Sequence, residues 1–385
     1  MTSNFHISQH CLLFILLIFA FTACQTIAPP SLPTPARQQS SNPIQTAVPS
    51  LPTGEFPTRT PPSPAPLPTN TTTPTPLPVT TLLFTGNIVP ARCVQEHIDA
   101  TGDTDYIYAE VKDIISQVDI AVGVFNGTMS DYPTHTGCVP TYVLVGSPDN
   151  ADAMQRAGFD VMSVATNHIK DCGKTNCGDR AFFDTLDNLH RVGILTVGAG
   201  KNEQEALQPV VVAANGVRFG FVSLGQLQQG GVFATSEKAG IAELNSENIR
   251  KAIEAARKIA DVVIFMPHWG PEEVSTPNWI QRNLAHEIVE AGADVVVGNH
   301  THLVQGLQEI SGVPVFYGLG NFVFDQWQRD HQQAVMLKIS FQGAKYLSYE
   351  FIPTRVEKNG TVHLAGEEEA SEILERIENA SLDLR

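Results

Sequence analysis

Residues 294–302 read DVVVGNHTH and residues 261–270 read DVVIFMPHWG. In each, a single acidic residue opens a short run of β-branched and apolar residues, and the run ends on histidine. A run of this length, bounded by Gly or Pro, is too short for a helix and reads as a strand buried on both faces. The same signature recurs upstream at 81–88, 119–125, 160–164 and 194–197. Between these runs, 106–117, 149–157, 181–191, 246–259 and 277–291 carry helical spacing. Such alternation predicts βα units and an α/β domain. Two runs, 210–213 and 218–223, flank Asn215-Gly216, a hairpin signal. After Leu303 the pattern turns to strands alone (304–310, 313–318, 333–341 and 346–353), which predicts a second, mainly antiparallel sheet packed on the first. A short acidic helix at 368–378 closes the chain.

The N-terminal part does not read as globular. An apolar run at 11–21 is followed by Phe21-Thr22-Ala23-Cys24. That is a signal peptide (1–24) ending in a lipobox, too short to span a bilayer comfortably, so Cys24 is the expected lipidation site. Residues 25–79 are dominated by Pro, Thr and Ser and form a semi-rigid, disordered spacer. Residues 80–385 then make one globular domain. The chain is therefore expected to be exported and anchored by lipid to the outer face of the cell membrane. A formal charge of −16 with no Lys/Arg cluster argues against nucleic acid as a partner. Export permits disulfides, and four cysteines remain: Cys172 with Cys177, and Cys93 with Cys138, with a zinc site as the rival use.

The histidines of interest follow buried runs: Asn167-His168, His268-Trp269-Gly270 and Asn299-His300-Thr301-His302. Carboxyl ends of strands in open α/β sheets converge on a crevice, so these groups should meet. A lone His at a strand end is usually structural, but three groups at equivalent ends favour a shared site. His-x-His suits a metal, because residues two apart on an extended segment face the same way.

GFDVMSVATNHIKDCG, VVIFMPHWGPEEV, the segment from QRNLAHEIVEAG to GLGNFVFDQ and the opening LLFTGNIVPAR together resemble the capsule synthesis protein A family, also called the poly-γ-glutamate synthesis family. The resemblance covers roughly 81–353. It implies a metallophosphatase-like sandwich of two β-sheets flanked by helices, with a metal site at strand ends. It also implies association with capsule polymer assembly, commonly poly-γ-glutamate. Carried onto this chain, it makes His268, His300 and His302 the metal ligands and Asn167, His168 and Arg92 the catalytic set.

Two positions depart from the family pattern. Asn87 follows Gly86 where the family has an aspartate, and Asn126 stands where it has a glutamate. The imidazoles survive and both carboxylates are lost. Negative charge is what holds two divalent ions a few Å apart, so at most one divalent ion, zinc or manganese, is expected. Three functions follow from this reading. One is an accessory protein of capsule or exopolymer biosynthesis that binds anionic polymer or the polymer synthase and export proteins. Another is a metal-dependent hydrolase of phosphoester or amide bonds with His168 as general acid. The last is a non-catalytic surface binding module.

Overall fold

The computed structural model describes residues 77–384 apart from 133–134, 136, 173–176 and 228–230. The expected signal peptide, Cys24 and the spacer up to residue 76 lie outside them. Among the described residues no helix is long and apolar enough to cross a membrane.

The apolar runs form two facing sheets. One has eight strands: Val362–Leu364, Lys345–Val356, Gln333–Gln342, Val79–Ile88, Ile120–Phe125, Val161–Ser163 and Leu195–Val197 in spatial order, with Asn321–Val323 beside the end of Val79–Ile88. The other has six: Leu307–Ile310, Val313–Phe316, Val295–Val297, Val262–His268, Val217–Gly225 and Val210–Ala214. The central strands of both pair in parallel. The strands beyond Leu303 do not build a separate antiparallel sheet, as the sequence suggested. Four join the first sheet and two extend the second. An apolar run reports burial on both faces but not which neighbour supplies its hydrogen bonds, so the partition between sheets is invisible locally.

Side chains alternate across each strand and so enter different cores. Leu82 and Phe84 meet Phe219, Phe221, Ile264 and Val297 between the two sheets. Leu83 points the other way, into a cluster shared with Met154 and Phe182 of the helices Asp149–Ala157 and Arg180–Arg191. Val263 and Phe265 pack outward on Ile249, Ile253, Ala285 and Ile288, from Ser246–Arg257 and Trp279–Ala291. The result is a helix–sheet–sheet–helix sandwich in which both faces of each central strand are covered.

Local signals in the sequence are met directly. Asn215 and Gly216 take φ of 51° and 81°, the left-handed pair of a type I′ turn, and Ala214 pairs with Val217 across it. Asn278 and Gln281 form a reciprocal capping box at the start of Trp279–Ala291. Disulfides join Cys93 to Cys138 and Cys172 to Cys177. The first closes a loop of 45 residues, for which chain entropy gives about 4 kcal/mol. It also ties the loop that leads into Thr141 to the helix Cys93–Thr101.

Candidate functional site

The parallel central strands bring their carboxyl ends to one edge of the sandwich, and the polar residues gather there. Asn87 lies in Val79–Ile88, Asn126 follows Ile120–Phe125, His268 ends Val262–His268, and Asn299 to His302 follow Val295–Val297. Close backbone approach makes this possible. A Cβ on Gly86 would stand 2.1 Å from the Gly320 carbonyl, and one on Gly298 would stand 2.3 Å from the Trp269 indole nitrogen. Only glycine lets Asn87 and Asn321, and likewise Asn299 and Trp269, come together.

His268 Nε2 is 3.0 Å from Asn167 Oδ1 and 3.1 Å from His300 Nδ1. His302 Nδ1 is 2.8 Å from Asn321 Oδ1, which also accepts from Asn87 Nδ2 at 3.4 Å. Asn126 Oδ1 accepts the backbone N–H of His168 at 3.4 Å, and His168 Nδ1 is 2.8 Å from Asp171 Oδ2. All the residues the sequence singled out around this crevice therefore converge, across separations of up to 234 positions. His300 and His302 do not alternate on an extended segment, however, because their φ values are 104° and 62°. Their Nε2 atoms reach a common carboxylate, Glu272, at 3.8 and 3.9 Å. Arg92 (51°) and Glu273 (62°) are also left-handed, so four of the six non-glycine residues with positive φ among those described line this one region. Such conformations cost roughly 1–3 kcal/mol each and collect where function requires them.

Whether these residues suit a metal can be judged from the donor atoms. A tetrahedral ion bound at 2.0–2.1 Å by nitrogen sets its ligands about 3.3 Å apart. Asn167 Oδ1 and His300 Nδ1 each stand near that distance from His268 Nε2, while His302 Nδ1 is bonded to Asn321 Oδ1. They are suited to one ion held by neutral donors. A second ion would find no charge at Asn87 and Asn126, which are fully buried; their atoms without a hydrogen-bond partner among the described residues are Asn87 Oδ1, a neutral donor to a cation, and Asn126 Nδ2, which is not one. Among the described residues no group of three or more His, Cys, Asp or Glu is gathered for a metal.

Burial, reinforced by the neighbouring imidazoles, pushes His268 and His300 well below the ordinary imidazole range. Burial also lowers His302, against the opposing pull of Asn321 and Glu272. An unfolded chain protonates these rings near pH 6.5 while the folded one keeps them neutral. The unfolded state then binds more protons, and stability is lost as pH drops below about 6.5. Each ring contributes up to about 1.4 kcal/mol per pH unit. The denaturant midpoint should therefore fall between about pH 7 and 5, less steeply in His268→Asn/His300→Asn. An unchanged slope in that variant would show that other groups carry the acid sensitivity.

Other residues bear on the site through partners that the sequence alone leaves open. Asp325 reads locally as a solvated or capping residue, yet it is 4% exposed and forms a two-oxygen ion pair with Arg92. Asn321 bridges Asn87, His302 and the His331 carbonyl. Asp171 orients His168 from three positions away and also accepts the Leu144 N–H at 2.8 Å. No periodic pattern marks Asp325 or Asn321, since each acts on partners distant in sequence.

Residues 81–326 match the family described as bacterial capsule synthesis protein PGA_cap. The capsule biosynthesis protein CapA of Bacillus anthracis is 31% identical over 263 residues, covering 66% of this chain and 62% of that protein. The PGA biosynthesis protein CapA of Bacillus subtilis is 29% identical over 260 residues, 67% of each chain. The chain thus spans somewhat under two thirds of the first relative's length and two thirds of the second's. Similar solved structures include a phosphatase of Mycoplasma pneumoniae (11% identity, TM-score 0.44, 72% of this chain and 94% of that one). A 5′-nucleotidase precursor of Thermus thermophilus is another (16%, TM-score 0.43, 80% and 59%).

Proposed function

We propose, from the premise that the chain belongs to the bacterial capsule synthesis protein family, that it serves capsule or exopolymer biosynthesis as an accessory protein that binds and does not hydrolyse. The observation that carries this reading is the pair of buried amides, Asn87 and Asn126, at the crevice where a two-ion hydrolase needs carboxylates. Relatives named for capsule and poly-glutamate synthesis support the polymer context. In this reading Cys24 carries the lipid, residues 25–79 hold residues 80–385 away from the membrane, and the partners are an anionic polymer of poly-γ-glutamate type or its synthase and export proteins.

A metal-dependent hydrolase is the second reading, and the geometry that favours it is specific. Asn167, His268 and His300 would hold one ion, which would polarise a substrate oxygen. His168, oriented by Asp171, would stand ready to give a proton from Nε2. Arg92 is not available to clamp an anion, because Asp325 occupies its guanidinium. One complementation experiment separates the readings. Deleting the gene should abolish surface polymer, and the chain carrying His268→Ala and His300→Ala should restore it. Failure of that variant to restore polymer, with normal protein levels, would favour the hydrolase; unaltered polymer in the deletion strain would remove the capsule role.

A further inference from the structure

Outside the buried imidazoles the crevice opens into a cavity of about 190 Å³. Two aromatic side chains on its lining stand largely in water, Tyr142 at 87% and Trp327 at 67% exposure. Its walls carry two carboxylates, Glu272 and Glu273. Among the described residues the only basic side chains within 4 Å of the Glu272 carboxylate are the His300 and His302 rings, and no ion pair holds Glu273. The backbone of Glu273 is nonetheless fixed in a left-handed conformation, with its N–H bonded to the Thr301 carbonyl at 3.0 Å. Among the described residues the one permanently positive side chain on the lining is Arg92. Its guanidinium is bound to both oxygens of Asp325 and to the Thr141 carbonyl, with its face over Phe324. Among these residues an anion entering here would meet two carboxylates and no unpaired permanent cation. An ammonium ion would meet the carboxylates together with exposed aromatic faces, the combination that attracts organic cations.

We propose that this cavity binds a primary ammonium group on an aliphatic chain, its charge set against Glu272 and Glu273 and its methylenes against Trp327 and Tyr142. The inference rests on the capsule reading for its natural ligand: an amide-linked amino-acid polymer is anionic along its length but ends in one free amine, which in a γ-linked glutamate shares its carbon with a carboxylate that the site would leave pointing to solvent. The crevice would then hold the amino end and turn away the flank, which reconciles a polyanionic partner with a chain of net charge −16.

The test is calorimetric titration of the purified full chain with n-butylammonium chloride, n-butanol and glucose. Saturable binding of the amine alone is expected, at roughly millimolar affinity. Glu272→Gln/Glu273→Gln should weaken it roughly tenfold and Trp327→Ala should weaken it too, with melting temperatures unchanged because these side chains lie at the surface. A second arm compares a short γ-linked glutamate oligomer with its N-acetylated form, and only the free amine should bind. Equal binding of butanol, preference for glucose, or an unchanged affinity in the double variant would overturn the ammonium site. Equal binding of the acetylated oligomer would overturn the end-recognition. None of these results depends on the deletion phenotype, so the cavity and the capsule role can fail separately.

Discussion

Replacing Asn87 by Asp together with Asn126 by Glu should raise the affinity of the crevice for divalent ions by several powers of ten. Both amides are fully buried, with Asn87 Oδ1 and Asn126 Nδ2 lacking any partner. Carboxylates here, isosteric for Asn87→Asp and one methylene longer for Asn126→Glu, would add a negative charge apiece, one beside Asn321 and His302 and one beside His168. At an effective dielectric of about 20 a unit charge pair at about 4 Å is worth roughly 4 kcal/mol, about a thousandfold in affinity. Elemental analysis after metal loading should then give at most one ion in the natural chain and about two in the double variant. A second readout is independent of any activity. Without metal, each new buried carboxylate is an uncompensated charge costing about 3–5 kcal/mol, so the variant should melt early in chelator and recover on adding zinc or manganese. His300→Ala in the same background should cancel the gain. Two tightly held ions in the natural chain would show that the amides had not weakened the centre, and would restore the hydrolase reading.

The site was legible in the sequence to the extent that it sits on strands. Buried runs that end on Asn or His reveal both the strand and its end, which is why Asn167-His168, His268 and His300-Thr301-His302 are expected from the sequence to meet. The Asn215-Gly216 turn was equally plain because only its own φ values matter. What escaped were pairs whose meaning lies in the partner. Nothing near Asp325 announces Arg92, which is 233 residues away. Nothing near Trp327 announces Tyr142 or Glu273, because loop residues on a cavity wall have no period. Sheet membership escaped for a related reason. Gln333–Gln342 has the same apolar content whether it pairs with Val79–Ile88, as it does, or closes a sheet of its own.

Asp325→Ala should destabilise the fold by about 3–5 kcal/mol, the range for removing one partner of a buried ion pair. Three losses coincide. The Arg92 guanidinium, whose side chain is 11% exposed, would keep its charge without a counterion. The helix Cys93–Thr101 would lose its N-terminal partner, because its capping position is Arg92 itself, which offers no cap, and the Cys93 N–H donates to Asp325 Oδ2 at 3.2 Å instead. The left-handed Arg92 backbone, φ 51°, would lose the contacts that hold it there. Arg92 also donates to the Thr141 carbonyl at 2.8 Å, one residue from Tyr142. Its release should therefore loosen the aromatic wall of the cavity as well as the helix. At about 1.6 °C per kcal/mol for a domain of about 300 residues, the melting temperature should fall by about 5–8 °C. Arg92→Met/Asp325→Leu should recover much of that loss, since an apolar pair leaves no buried charge behind. The double-mutant cycle then reads the coupling directly. A single substitution costing under about 1 kcal/mol would place this pair with surface ion pairs and remove it as the support of the cavity wall.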